Sequence, residues 1–129
     1  MSERERRMRE AIAAYNEGGT EGLLSYMTED VVWEEDPDWP DGQTWQGHQG
    51  VRDALRERLE TTSIHVEIEE VAERGDHMLV SFRWTAVGAG SGAAALARPA
   101  ILQRFRGDLA CYVRFFLDQD RAREAFDAA

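Results

Sequence analysis

Apolar residues open the chain at the spacing of a helix face. Met8, Ala11, Ile12 and Tyr15 stand at i, i+3, i+4 and i+7, which predicts a helix over 4–17 with one buried stripe. Glu3, Arg4, Glu5, Arg6, Arg7, Arg9 and Glu10 cover its other face, where they can pair at i,i+4 in solvent. Gly18–Gly19 is a stop, and Thr20 is placed to cap a second short helix over 20–27 with Leu23, Leu24 and Met27. DVVWEE at 30–35 is rich in β-branched and aromatic residues and predicts a strand. The segment 36–47, DPDWPDGQTWQG, has the prolines, glycines and aspartates of a loop. Val51, Leu55 and Leu59 mark a third helix from Gly50 to about Glu60.

From residue 63 the period changes to two. Ile64, Val66 and Ile68 alternate with His65, Glu67 and Glu69 through 63–73, the pattern of a half-buried strand. Gly75–Asp76 turns the chain into a strand over 77–87. GAGSGAAA at 88–95 is a hairpin tip or rim loop. Strands are expected over 96–106 and 109–117 around Gly107–Asp108, then a closing helix over 119–127. Hairpin-linked strands make an antiparallel sheet, and helices gathered early in the chain must cover one of its faces. The expected fold is α+β: a curved antiparallel sheet wrapped as a cone around three N-terminal helices, enclosing a pocket, in a single domain spanning 1–129.

Composition narrows the partners. The chain has 129 residues and a net charge of −10, which repels phosphate backbones and anionic membrane surfaces. No apolar run approaches the roughly 18 residues of a membrane span. The opening MSERERRMRE lacks the apolar centre of a signal peptide. With the single cysteine, Cys111, this leads us to expect a cytoplasmic protein. Cys111 sits among Leu109, Ala110, Tyr112 and Val113 and is read as a small buried hydrophobe. His48, His65 and His77 lack ligand spacing, the acidic 36–41 segment lacks the pattern of a calcium loop, and phosphate or dinucleotide fingerprints are missing. No metal and no cofactor are expected.

Several short segments, in order, resemble one family. They are Tyr15-Asn16-Glu17-Gly18, Glu29-Asp30-Val31-Val32-Trp33, Asp36-Pro37 leading to Trp45-Gln46-Gly47-His48-Gln49-Gly50-Val51, Phe82-Arg83-Trp84-Thr85, Gln103-Arg104-Phe105-Arg106 and Phe116-Leu117-Asp118. Over roughly 8–126 the chain resembles the nuclear transport factor 2-like superfamily, in its SnoaL-like, polyketide cyclase-like branch. That resemblance implies the cone-shaped fold. It also implies a homodimer through the outer face of the sheet, which would carry Ala100, Leu102, Tyr112 and Phe116.

The resemblance also proposes chemistry. Ketosteroid isomerases, similar here, take a general base from a Glu-Asp-Pro tripeptide. Aligned from Pro37 that base is Asp36; aligned from the strand it is Glu35. Trp33 should point inward, and alternation then favours Glu35 unless a bulge resets the register. The donors such an isomerase needs fall at Ala11 and Ile101, which leaves a lone carboxylate without an oxyanion hole. Limonene epoxide hydrolase, a second relative, would match its arginine at Arg83, but its aspartates fall at Thr85 and Phe115. Arg83 interrupts an apolar strand, is expected to face the cavity, and would need Glu35 or Asp36 as a partner. Asp118 corresponds to a carboxylate after the last strand of SnoaL-like proteins and is either a catalytic acid or the N-cap of the closing helix.

The candidate catalytic set is therefore Glu35, Asp36, Arg83 and Asp118. Trp33, Trp39, Trp45, Ile101, Gln103 and Phe115 are candidates for binding a small, flat, hydrophobic or polyketide-like molecule. If the protein is an enzyme, it is expected to run cofactor-independent acid/base chemistry of the cyclase or isomerase class. A non-catalytic binding protein and a dimerisation module of the same fold are the alternatives.

Overall fold

The structure, a computed structural model, describes residues 1–59, 64–86 and 97–129. The expected rim loop at 88–95 lies outside the described residues. Helix α1 covers Glu3–Gly18, with Ser2 accepting from the Glu5 amide at its start and Gly19 at φ 89° behind it. Helix α2 is one turn, Glu21–Leu24, shorter than the helix expected over 20–27. Thr20 is itself helical and its hydroxyl caps nothing. The chain leaves the helix because Tyr26 and Met27 are claimed by the sheet: the Ala110 amide donates to the Tyr26 carbonyl at 2.8 Å, and Met27 pairs with Ala110.

Strand β1 is Met27–Glu34, β2 is Thr44–Gln46 and helix α3 is Gly47–Leu59. Strand β2, three residues inside the expected loop, is too short to show a period in the sequence. Strands β3 (Ile64–Arg74), β4 (His77–Ala86), β5 (Ala100–Arg106) and β6 (Leu109–Phe116) follow, then helix α4 (Gln119–Ala128). The six strands form one sheet in the order β2-β1-β6-β5-β4-β3. The hairpin-linked pairs are antiparallel as expected, but β1 runs parallel to β6. The sheet is therefore mixed, because β1 reaches it through helices rather than through a hairpin. Register shifts at Ile68/Glu70 and Arg104/Phe105 add the local twist that curves a sheet.

Each face of the sheet has its own core. On one face Met8, Ala11 and Ile12 of α1, Leu23 and Leu24 of α2 and Val51 of α3 pack over Val80, Phe82, Ile101, Val113 and Phe115. On the other, Leu79, Ala100, Leu102 and Phe116 are covered by Ala122 and Phe126 of α4. Of the four residues expected on a dimer face, Ala100, Leu102 and Phe116 lie in this second core, whereas Tyr112 is partly exposed. Those three are 0%, 8% and 4% exposed beneath the chain's own last helix. Burial of each large apolar side chain there contributes about 1.5–3 kcal/mol, so α4 holds this face of the sheet as a second core.

Candidate functional site

Between the three N-terminal helices and the sheet lies a cavity of about 70 Å³. Helices α1 and α3 supply Ile12, Tyr15, Ala54 and Leu55; the sheet supplies Val66, Phe82, Trp84, Ile101 and Phe115. Tyr26 and Met27 lie at the start of β1, Trp33 and Glu35 at its end, and Trp39 comes from the loop beyond. Trp39 meets Phe115 edge-on with centroids 5.3 Å apart, and Trp84 lies 5.5 Å from the same ring.

The strand period decides which carboxylate enters this space. Trp33 and Glu35 are two residues apart and both line the cavity, as alternation requires. Glu35 is 7% exposed. Its Oε1 accepts from the Trp45 indole Nε1 at 3.1 Å and from the Gln43 amide at 3.2 Å. Glu35 is the acidic side chain among the described lining residues. Asp36 is buried as well, at 2%, but for another purpose. Its Oδ1 accepts from the Asp38 amide at 2.9 Å, and its Oδ2 accepts from the Leu117 amide at 2.8 Å. Asp36 ties the loop to the end of β6 and does not line the cavity.

The other two members of the expected catalytic set are elsewhere. Phe82 and Trp84 face the cavity, so Arg83 between them projects from the opposite face of β4. The expected ion pair of Arg83 with Glu35 or Asp36 does not form; the Arg83 Nε is buried without a hydrogen-bond partner among the described residues. A one-residue offset on a strand suffices to move a side chain to the other face, and the apolar stretch around Arg83 concealed that offset because both faces are covered. Asp118 caps α4: its side chain accepts from the Asp120 amide at 2.8 Å, far from the cavity lining.

Of the expected binding residues, Trp33, Trp39, Ile101 and Phe115 line the cavity. Trp45 does not; it holds the cavity's carboxylate instead. Gln103 is fully buried behind the lining, where its Oε1 accepts from the Tyr26 hydroxyl at 2.7 Å and its Nε2 has no partner among the described residues. Two lining hydroxyls were not anticipated. Burial pushes the titration of both Tyr15 and Tyr26 upward, so both stay protonated at neutral pH. Tyr15 could have been found, since it follows Ala11 by four residues on the same helical face. Tyr26 could not, because it sits where the expected helix gives way to a strand.

Cys111 is buried, with its Sγ 3.5 Å from the Arg104 carbonyl. His48 Nε2 lies 3.1 Å from the Met27 carbonyl. Among the described residues no cluster of three or more His, Cys, Asp or Glu side chains is arranged to hold a metal, and no helix is long and apolar enough to cross a membrane.

Comparison with known proteins places this geometry. The sequence matches the family model of the SnoaL-like domain over residues 8–113. No curated protein matches it. Among solved structures, TerC co-crystallised with polyporic acid superposes with a TM-score of 0.76 at 20% identity, over 98% of this chain and 99% of that one. An NTF2-like protein of unknown function from Burkholderia pseudomallei gives 0.70 at 23% identity over 96% and 97% of the two chains. A hypothetical protein with a ketosteroid isomerase-like fold from Catenulispora acidiphila, in complex with trimethylamine, gives 0.66 at 18% identity over 85% and 83%. At these identities the likeness concerns the fold.

Proposed function

We infer, given that the chain belongs to the SnoaL-like domain family, that it binds a small, flat, hydrophobic carbonyl compound and moves a proton on it with Glu35. The observation that carries this reading is the position of Glu35: a buried carboxylate on an otherwise aromatic and aliphatic wall, held on Oε1 by Trp45 and Gln43. Those two hydrogen bonds fix its orientation, which places it for proton transfer. Glu35 takes a proton from the carbon beside the carbonyl, and the charge moves to the carbonyl oxygen as an enolate. The proton returns to the same or a neighbouring carbon. In a longer, polyketide-like substrate the same carbanion equivalent attacks a second carbonyl and closes a ring, and the alkoxide formed from that carbonyl takes the proton back from Glu35. No cofactor takes part in this proposal.

The enolate oxygen needs a donor. The resemblance places an isomerase's tyrosine at Ala11, one helical turn before Tyr15. Tyr15 lines the cavity and burial keeps its hydroxyl protonated, so it supports the donor role from one turn further along the same face. A similarly folded protein was crystallised with polyporic acid, which supports a small organic ligand.

The test is α-proton exchange of 2-tetralone in D₂O, followed by NMR. The native protein should accelerate exchange, and Glu35→Gln should lower the rate by about 100-fold or more while 2-naphthol still binds. Binding of 2-naphthol without accelerated exchange would turn the assignment to a non-catalytic binding protein.

A further inference from the structure

Trp39 reaches the cavity from the loop between Asp36 and Gln43, whereas its ring neighbours Trp84 and Phe115 stand on β4 and β6. The loop has a defined shape. Its neck is closed by the Glu35 amide donating to the Gln43 carbonyl at 3.1 Å and by the Gln43 amide donating to Glu35 Oε1 at 3.2 Å. Asp36 pins its first residue through the Asp38 and Leu117 amides. Two successive turns follow, with the Trp39 amide donating to the Asp36 carbonyl at 2.9 Å and the Gly42 amide to the Trp39 carbonyl at 2.8 Å. The turns are tight: a Cβ at Gly42 would lie 2.5 Å from the Asp36 carbonyl oxygen. On the outside, Arg121 reaches Asp38 at 2.6 Å.

Every one of these contacts is made by backbone or by another side chain. The loop delivers the indole edge-on to Phe115 and Trp84 at the cavity wall. Glu35 and the loop share one neck, so the ring is held at a fixed place relative to the carboxylate. We propose that Trp39 is the specificity-determining residue of this cavity, a loop-borne wall that limits the size of the flat ligand it admits. This rests on the reading of the cavity as a site for flat hydrophobic molecules. Replacing the indole with a smaller group removes part of that wall and admits a larger ring system.

The experiment titrates the full chain and the variants Trp39→Ala and Trp39→Phe with phenol, 2-naphthol and 9-anthracenemethanol by calorimetry, with circular dichroism to follow the fold. The native protein should prefer 2-naphthol to 9-anthracenemethanol by about tenfold or more, and Trp39→Ala should reverse that order by a similar factor. Trp39→Phe should shift it in the same direction by about threefold, and it decides the question alone if Trp39→Ala does not fold. A folded variant that keeps the native order, or weakens all three compounds equally, overturns the size-limiting role and leaves the cavity reading intact. Failure of the native protein to bind any of the three overturns the cavity reading, and this inference with it.

Discussion

The indole Nε1 of Trp45 donates to Oε1 of Glu35 at 3.1 Å, so the two residues that open and close the loop after β1 meet at the cavity's carboxylate. Trp33 and Trp45 are also direct cross-strand partners in β1 and β2. The short strand β2 thus exists in the place where it delivers a donor to the acid. Trp45→Phe keeps the ring and removes the donor. Loss of a hydrogen bond to a charged group should cost about 1.5–3 kcal/mol, read from denaturant unfolding, and tetralone exchange should fall with it. Unchanged stability together with unchanged exchange would show that Trp45 does not hold Glu35.

The adjacent carboxylates separate by function. Asp36 accepts two amides that join the loop to the end of β6, while Glu35 faces the cavity. Asp36→Asn should destabilise the fold by about 1–3 kcal/mol, because one side of the amide can no longer accept, yet leave exchange per folded molecule within about threefold. Glu35→Gln should show the converse pattern. If Asp36→Asn abolishes exchange at unchanged stability, the two roles are exchanged.

Asp118 serves α4 through its bond to the Asp120 amide. Asp118→Ala should cost about 1 kcal/mol and, since α4 covers Leu102 and Phe116, this should appear in global unfolding. Exchange should be unaffected. A large loss of exchange with normal stability would restore Asp118 as a catalytic acid.

Tyr26 makes an alkaline prediction. Burial raises its titration in the folded chain, so the folded state keeps this proton more tightly than the unfolded state does. The stabilisation is complete below the unfolded value of about 10 and is lost as pH rises above it, toward the folded value. The slope for one such group is at most about 1.4 kcal/mol per pH unit. Tyr26→Phe should flatten this alkaline loss. At neutral pH it should destabilise by about 1–3 kcal/mol, because Gln103 then has no described partner. Adding Gln103→Leu should recover part of that loss in a double-mutant cycle. Additive penalties would show that the two side chains do not act as a pair.

By itself the sequence determined the order of the elements apart from β2, the cavity-facing rows and the family resemblance. The helical stripe of Met8, Ala11, Ile12 and Tyr15 and the alternation from Ile64 onward are repeated patterns, and burial on one face leaves them little freedom. Alternation from Trp33 to Glu35 was enough to favour the right carboxylate for the cavity. Three matters were decided by tertiary structure. The end of α2 and the existence of β2 depend on partners on β6 and β1 that are distant or too few to leave a period. The outward position of Arg83 was hidden because both faces of its strand are covered, so neighbours on either side are apolar. The cover of the outer face came from α4, whose amphipathic residues show a buried side without saying which surface it will meet. Local pattern fixes which side of an element avoids water; only the assembled sheet and helices decide what each such side touches, and here that contact distinguishes a cavity acid from a loop clamp and a helix cap.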